Sequence, residues 1–170
     1  MRSLSTPRLL KTLESNPNNP PLCQAPDQVL KKPGLVLDEH ACDCHAHICG
    51  PASLYPYSPK RIYTPPDALL PQYRALLNHL GIERAVLVQP SIYADDNRAL
   101  LAALKEDPLH LRGIAVVDWE ISEQDLEKMH HAGVRGVRCN IVDLADAKGV
   151  LPILKLRYLA DKIAPFGWHL

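Results

Sequence analysis

Two histidines and three cysteines crowd into the stretch ACDCHAHICGP, residues 41–51. On a β-strand alternate residues share a face, so His45 and His47 would stand about 6.5 Å apart by Cα. Two imidazoles at that spacing converge on one ion or on one substrate group. Asp43 has the same parity one step deeper, where it would orient a histidine or anchor the floor of a barrel. Cys42 and Cys44 have the opposite parity and are expected as small residues buried against helices, with Cys49 as a loop thiol. A catalytic zinc takes three protein ligands and keeps one position open. His45 and His47 are therefore metal ligands only if a divalent metal such as zinc binds with help from elsewhere. Otherwise no cofactor is expected and the pair contacts substrate. The plainer alternative is two histidines capping a strand with their polar ends in water.

Other residues point to anion recognition. In GVRGVRCN, residues 133–140, a guanidinium sits in a mostly apolar run and needs an anionic partner. Arg138, with Asn140 at the same parity, lies nearest the carboxyl end, and its planar fork suits a carboxylate. An internal ion pair with Asp43 or Asp118 is the competing explanation. Ser91 follows Gln89-Pro90 at the end of a second apolar run, placed either to hydrogen-bond a carboxylate or to cap the next helix. The loop YPYSPKRIYTPPDA, residues 55–68, stiffens with prolines and offers tyrosines, each a flat body with a polar tip, either to lie over a ring-shaped ligand or to pack as a loop covering the barrel top.

These residues need a scaffold, and the hydrophobic pattern supplies one. Apolar runs at 41–47, 84–90, 111–118 and 134–141 read as strands, and GWHL at 167–170 as the start of a fifth. Between them lie helical stripes. In residues 67–81, Leu69, Tyr73, Leu76, Leu77 and Leu80 recur at three- and four-residue spacing; Pro71 fits only a first turn and Gly81 a C-terminal cap. Ser122 with Asp125 three residues on opens another helix that Gly133 closes. Strand-helix alternation with short connections signals a parallel α/β fold. An open doubly wound sheet and a (β/α)8 barrel both satisfy it, although no Gly-rich fingerprint follows the first strand and a dinucleotide fold is disfavoured. Residues 1–40, with NPNNPPLCQAP, read as a flexible N-terminal tail preceding a domain at 41–170.

Composition limits the function classes. The 170 residues carry 19 basic and 19 acidic side chains, a formal net charge of zero. No Lys/Arg cluster resembles a nucleic-acid or membrane patch, so the expected partner is a small molecule. No apolar run reaches the length of a membrane span, and the N-terminus lacks the apolar stretch of a secretory signal. Five cysteines, an odd number, make a poor disulfide framework and suggest a reducing, cytoplasmic setting.

Taken together, DCHAHICGP, YPYSPKRIYTPPDA, HLGIERAVLVQPSIYADDNRALLAAL, LRGIAVVD and GVRGVRCN resemble the amidohydrolase-related family of (β/α)8 hydrolases, in particular its pyrone-dicarboxylate lactonase branch. The resemblance runs from Asp43 to Leu170. It implies a TIM barrel and hydrolysis of a small, multiply carboxylated lactone ring. His45 and His47 match a first-strand pair that binds a divalent metal in most of the superfamily and contacts substrate in this branch. Tyr63, Ser91 and Arg138 match positions that hold the substrate's carbonyl or carboxylates. The implied chemistry is water attack on the lactone carbonyl, with histidines and arginines stabilising developing negative charge.

Two departures accompany the likeness. Leu144 stands where the branch carries a further arginine. Four strand-helix units fill residues 41–166, whereas a whole barrel takes roughly 250 residues, and the family's general base belongs to the eighth strand. The expectation is an incomplete barrel of about four βα units plus the start of strand five, catalytically impaired. Its exposed edges invite self-association or a partner half. The alternative is a non-catalytic binding protein that keeps only the anion pocket.

Overall fold

The computed structural model describes residues 20–27, 29–140 and 152–170. Four strands, β1 (Cys42–Ala46), β2 (Arg84–Val88), β3 (Leu111–Ala115) and β4 (Val134–Val137), alternate with α1 (Leu70–Leu80), α2 (Arg98–Glu106), α3 (Glu123–His131) and α4 (Ile153–Ile163). All three strand pairings are parallel. The sheet order is β1-β2-β3-β4, with no reversal. A doubly wound sheet turns back at a switch point, whereas a barrel adds each strand beside the last. The sequential order therefore decides for the barrel: a parallel α/β half-barrel. His169, in the expected fifth strand, bridges Gly136 in parallel register. A Cβ at Gly136 would lie 2.8 Å from the His169 carbonyl oxygen, so only glycine admits this neighbour.

The helices begin and end for local reasons. In α1, Pro71 occupies the first turn, the Leu69 N–H donates to Gln72 Oε1 at 2.8 Å, and Gly81 closes the helix at φ 75°. In α3 the Ser122 Oγ accepts the Asp125 N–H at 3.1 Å. One face of the sheet buries Ala85, Leu87, Leu111, Ala115 and Val134 against Leu77, Leu100, Leu104, Leu126, Leu159 and Ile163 of the helices. Trp168 donates its Nε1–H to His130 Nδ1 at 2.9 Å and stacks on that ring, docking the chain's return toward β4 against α3.

β2 and β3 are shorter than the apolar runs that announce them, because residues 89–90 and 116–118 leave the sheet at its carboxyl edge. Residues 20–27 and 29–40 contain no helix or strand; Leu22 forms a lone bridge to Thr64. Leu144 lies outside the described residues. No helix among them is long and apolar enough to cross a membrane.

Simple alternation fails within β1. Its register against β2 shifts between Asp43 and Ala46, a β-bulge that inserts one extra residue. Asp43 Oδ2 accepts the hydroxyl of Tyr73 from α1 at 2.8 Å, which places Asp43 on the helix-covered side, and Ala46 packs against the same core. Between them Cys44 and His45 both lie exposed. The expected burial of Cys42 and Cys44 is thus wrong: both thiols are exposed on the face opposite the helices. Cys49, expected in a loop, is 6% exposed and bridges Ala68; burial first, with Cys23 and Asp67 adding to it, pushes its thiol up to about 11.

Candidate active site

Past the bulge, alternation about core-packed Ala46 turns His45 and His47 to the same side at the carboxyl end of β1, with ring centroids 5.0 Å apart in an edge-on arrangement. His47 Nδ1 lies 2.7 Å from the Val88 carbonyl oxygen. A carbonyl only accepts, so Nδ1 carries the proton and Nε2 presents its lone pair. Burial depresses the His47 pKa below 6.5; the bond to Val88 opposes this, and the neighbouring His45 and Arg138 charges lower it further. At neutral pH the ring is an uncharged base.

Arg138 arrives from the end of β4. Its Nη1–H donates to the Gln89 carbonyl at 3.1 Å, and its backbone N–H to Ala115 at 2.7 Å. His47 and Arg138 are therefore held by consecutive carbonyls, Val88 and Gln89, at one rim of the sheet. No carboxylate pairs with Arg138 among the described residues, and Asp43, the suggested internal partner, is engaged by Tyr73 and by the His45 N–H at 3.0 Å. Asp43 thus secures the backbone of His45 rather than an imidazole.

Ser91 opens a 3-10 turn, Ser91–Tyr93, directly after Gln89-Pro90. Tyr63 packs with Tyr55 and Tyr57 onto the buried cluster of Cys49, Ile92, Tyr93 and Ala99, so the tyrosine loop rests on that turn. The Ser58 N–H donates to the Ile92 carbonyl at 2.7 Å and fixes the contact. The structure brings His45, His47 and Arg138 to one place, with Ser91 in the loop beside them. Tyr63 belongs to the neighbouring wall, and among the described residues no hydrogen bond joins it to the other four.

Three supporting side chains escape a reading by spacing. Gln89 is fully buried; its Nε2 donates to Asp96 O at 2.8 Å and Ala94 O at 3.4 Å, while its Oε1 has no partner. Tyr93 accepts the Gly50 N–H at 2.7 Å, and a Cβ at Gly50, whose φ is 89°, would collide with the Asp67 carboxylate. The Asn97 side chain pairs with Val116 like a strand, accepting its N–H at 3.1 Å and donating to its carbonyl at 2.7 Å. A polar residue at the close of an apolar run is the available sign for Gln89. Asn97 offers none beyond its place before a helix.

As a metal centre the site is short of donors. Among the described residues no group of three or more His, Cys, Asp or Glu could hold an ion, and His45 with His47 supplies two of the three ligands a catalytic zinc needs.

A half-barrel with imidazole and guanidinium groups gathered at the carboxyl edge has the layout of a (β/α)8 enzyme, where ligands bind at that face. The chain belongs to the amidohydrolase family, which it matches over residues 42–170. It is 43% identical to a 2-pyrone-4,6-dicarboxylate hydrolase of Comamonas testosteroni over 81% of this chain and 45% of that protein. With a 4-sulfomuconolactone hydrolase of Rhizobium radiobacter it shares 37% identity over 69% of this chain and 40% of the relative. A probable 2-pyrone-4,6-dicarboxylic acid hydrolase from Acinetobacter baumannii, solved with citric acid bound, superposes with a TM-score of 0.66 at 26% identity, covering 76% of this chain and 47% of that one. The chain spans less than half the length of these relatives.

Proposed function

We propose that this chain carries the first half-site of a lactone hydrolase acting on a small polycarboxylated ring, and that alone it binds the ring better than it hydrolyses it. The observation that carries the reading is the shared anchoring of His47 and Arg138 on Val88 and Gln89 at one rim. Arg138 faces a substrate carboxylate with its remaining N–H groups. The neutral His47 offers Nε2 to a water or to the ring's polar edge, and His45 lies beside it. Water attack on the lactone carbonyl builds negative charge on the carbonyl oxygen, which these groups stabilise. Ser91 and Tyr63 take the remaining carbonyl or carboxylate contacts. The pyrone dicarboxylate in the name of the Comamonas relative and the citric acid in the Acinetobacter structure are both polycarboxylates.

A second reading, binding without turnover, has its own support. Asp43 turns toward α1, accepting the Tyr73 hydroxyl and the His45 backbone N–H, so it is held on the helix-covered side rather than presented as a base beside the imidazoles. Calorimetry and a hydrolysis assay with 2-pyrone-4,6-dicarboxylate, each with and without chelator, separate the cases. Binding that disappears in Arg138→Ala supports the pocket. Turnover lost on chelation would make His45 and His47 metal ligands. No binding by the folded chain under any condition would overturn both readings.

A further inference from the structure

The chain leaving β2 passes through a strained turn that two buried carboxamides hold. Ala94 has φ 52° and ψ −121°, the first corner of a type II′ turn that the Asp96 N–H closes onto the Tyr93 carbonyl at 3.0 Å. Glycine dominates that corner because a Cβ is crowded there, so an alanine persists only where its surroundings impose the conformation. Gln89 and Asn97 impose it. The fully buried Gln89 donates from Nε2 to the Ala94 and Asp96 carbonyls at 3.4 and 2.8 Å, and Asn97 donates from Nδ2 to the Asp95 carbonyl between them at 2.9 Å. Carbonyls only accept, so the amino group of Gln89 must face the turn. Its main chain is equally committed: the N–H donates to Ile114 of β3 at 2.8 Å, and the carbonyl accepts the Arg138 Nη1–H.

We propose that Gln89 is a positioning residue: its carboxamide latches the strained Ala94 turn so that Ser91 stands in fixed register with Arg138, which rests on the proposed reading of both as anion contacts. Ser91 belongs to the latched segment, since its carbonyl accepts the Ala94 N–H at 3.0 Å and closes the 3-10 turn. Without the latch Ala94 relaxes toward negative φ and that closing bond is lost. Tyr93 then loosens its hold on the Gly50 N–H in the loop after β1.

Gln89→Met keeps the length of the side chain and removes both donors, whereas Ala94→Gly removes the strain. Amide hydrogen exchange on the ligand-free full chain reads the latch. Exchange at Ala94 and Asp96 should quicken about tenfold in Gln89→Met and return to the parent rate in Gln89→Met/Ala94→Gly. Calorimetry with 2-pyrone-4,6-dicarboxylate reads the positioning. Ser91→Ala should weaken binding by the parent about fivefold and binding by Gln89→Met hardly at all, because a displaced hydroxyl has no contact left to lose. Ala94→Gly alone should bind like the parent, and it should restore the Ser91 effect to Gln89→Met. Should Gln89→Met not fold, the double variant must still fold and show that effect. Unchanged exchange in Gln89→Met, a Ser91 effect of equal size with and without the latch, or no rescue by glycine overturns the proposal. A parent chain that binds no pyrone dicarboxylate while its exchange behaves as stated supports the latch and overturns the lactone reading.

Discussion

His47 and Arg138 divide the work at the rim by charge state. The imidazole is kept neutral by burial, with His45 and Arg138 beside it adding to the effect, while the guanidinium contributes its planar fork of donors. Arg138→Lys keeps the charge and loses the fork, so affinity for a pyrone dicarboxylate should fall by about tenfold, and Arg138→Ala should cost about a hundredfold, read by calorimetry. Because the folded pKa of His47 lies below 6.5, the unfolded chain binds the extra proton first. Stability is therefore full above about pH 6.5 and declines as pH falls from there toward the folded value. His130 moves the same way: burial, then Arg135 and His131, depress its pKa, and its protonation removes the acceptor that Trp168 uses. Thermal melts between pH 7.5 and 5 should show the midpoint falling on acidification. A midpoint that rises would contradict the assigned tautomers.

Among the elements, β1 shows where sequence reading stops. The existence and order of strands and helices follow from periodicity, and Pro71, Gly81 and Ser122 mark helix ends because their backbone chemistry is local. The facing of His45 and His47 was legible for the same reason. The bulge was not: no residue in ACDCHAH announces an extra step, and it is decided by how Tyr73 and β2 claim Asp43 and Ala46. Strict alternation consequently misplaced Cys42 and Cys44. Tyr73→Phe tests the anchor. Burial, then the Asp43 hydrogen bond and charge, raises the Tyr73 pKa, and losing that bond should cost about 1 kcal/mol in urea unfolding and loosen His45. At the helix ends, Ser122→Ala should cost about 1 kcal/mol by removing the cap on Asp125.

Across the whole molecule, stability rests on a one-sided core and on ties across element ends. Leu87 is fully buried between sheet and helices, so Leu87→Ala should lower unfolding free energy by about 2–5 kcal/mol. The buried carboxylate of Asp107 joins Arg74 of α1 to His110 at the entry of β3, the His110 Nδ1 lying 2.9 Å away. Burial pushes the Asp107 pKa up, but Arg74 and His110 outweigh it and leave it lowered, so this tie holds until pH falls below the carboxylate range. Tyr63, which the family resemblance groups with the site, stands in the neighbouring wall: the long loop packs on Ile92 and Tyr93, and nothing in its own composition encodes that contact. Gly136 carries one more implication. Because the backbone of residue 169 lies where a methyl group would otherwise sit, Gly136→Ala would act as a wedge, prising the returning chain from the sheet margin while sparing the four strands already formed.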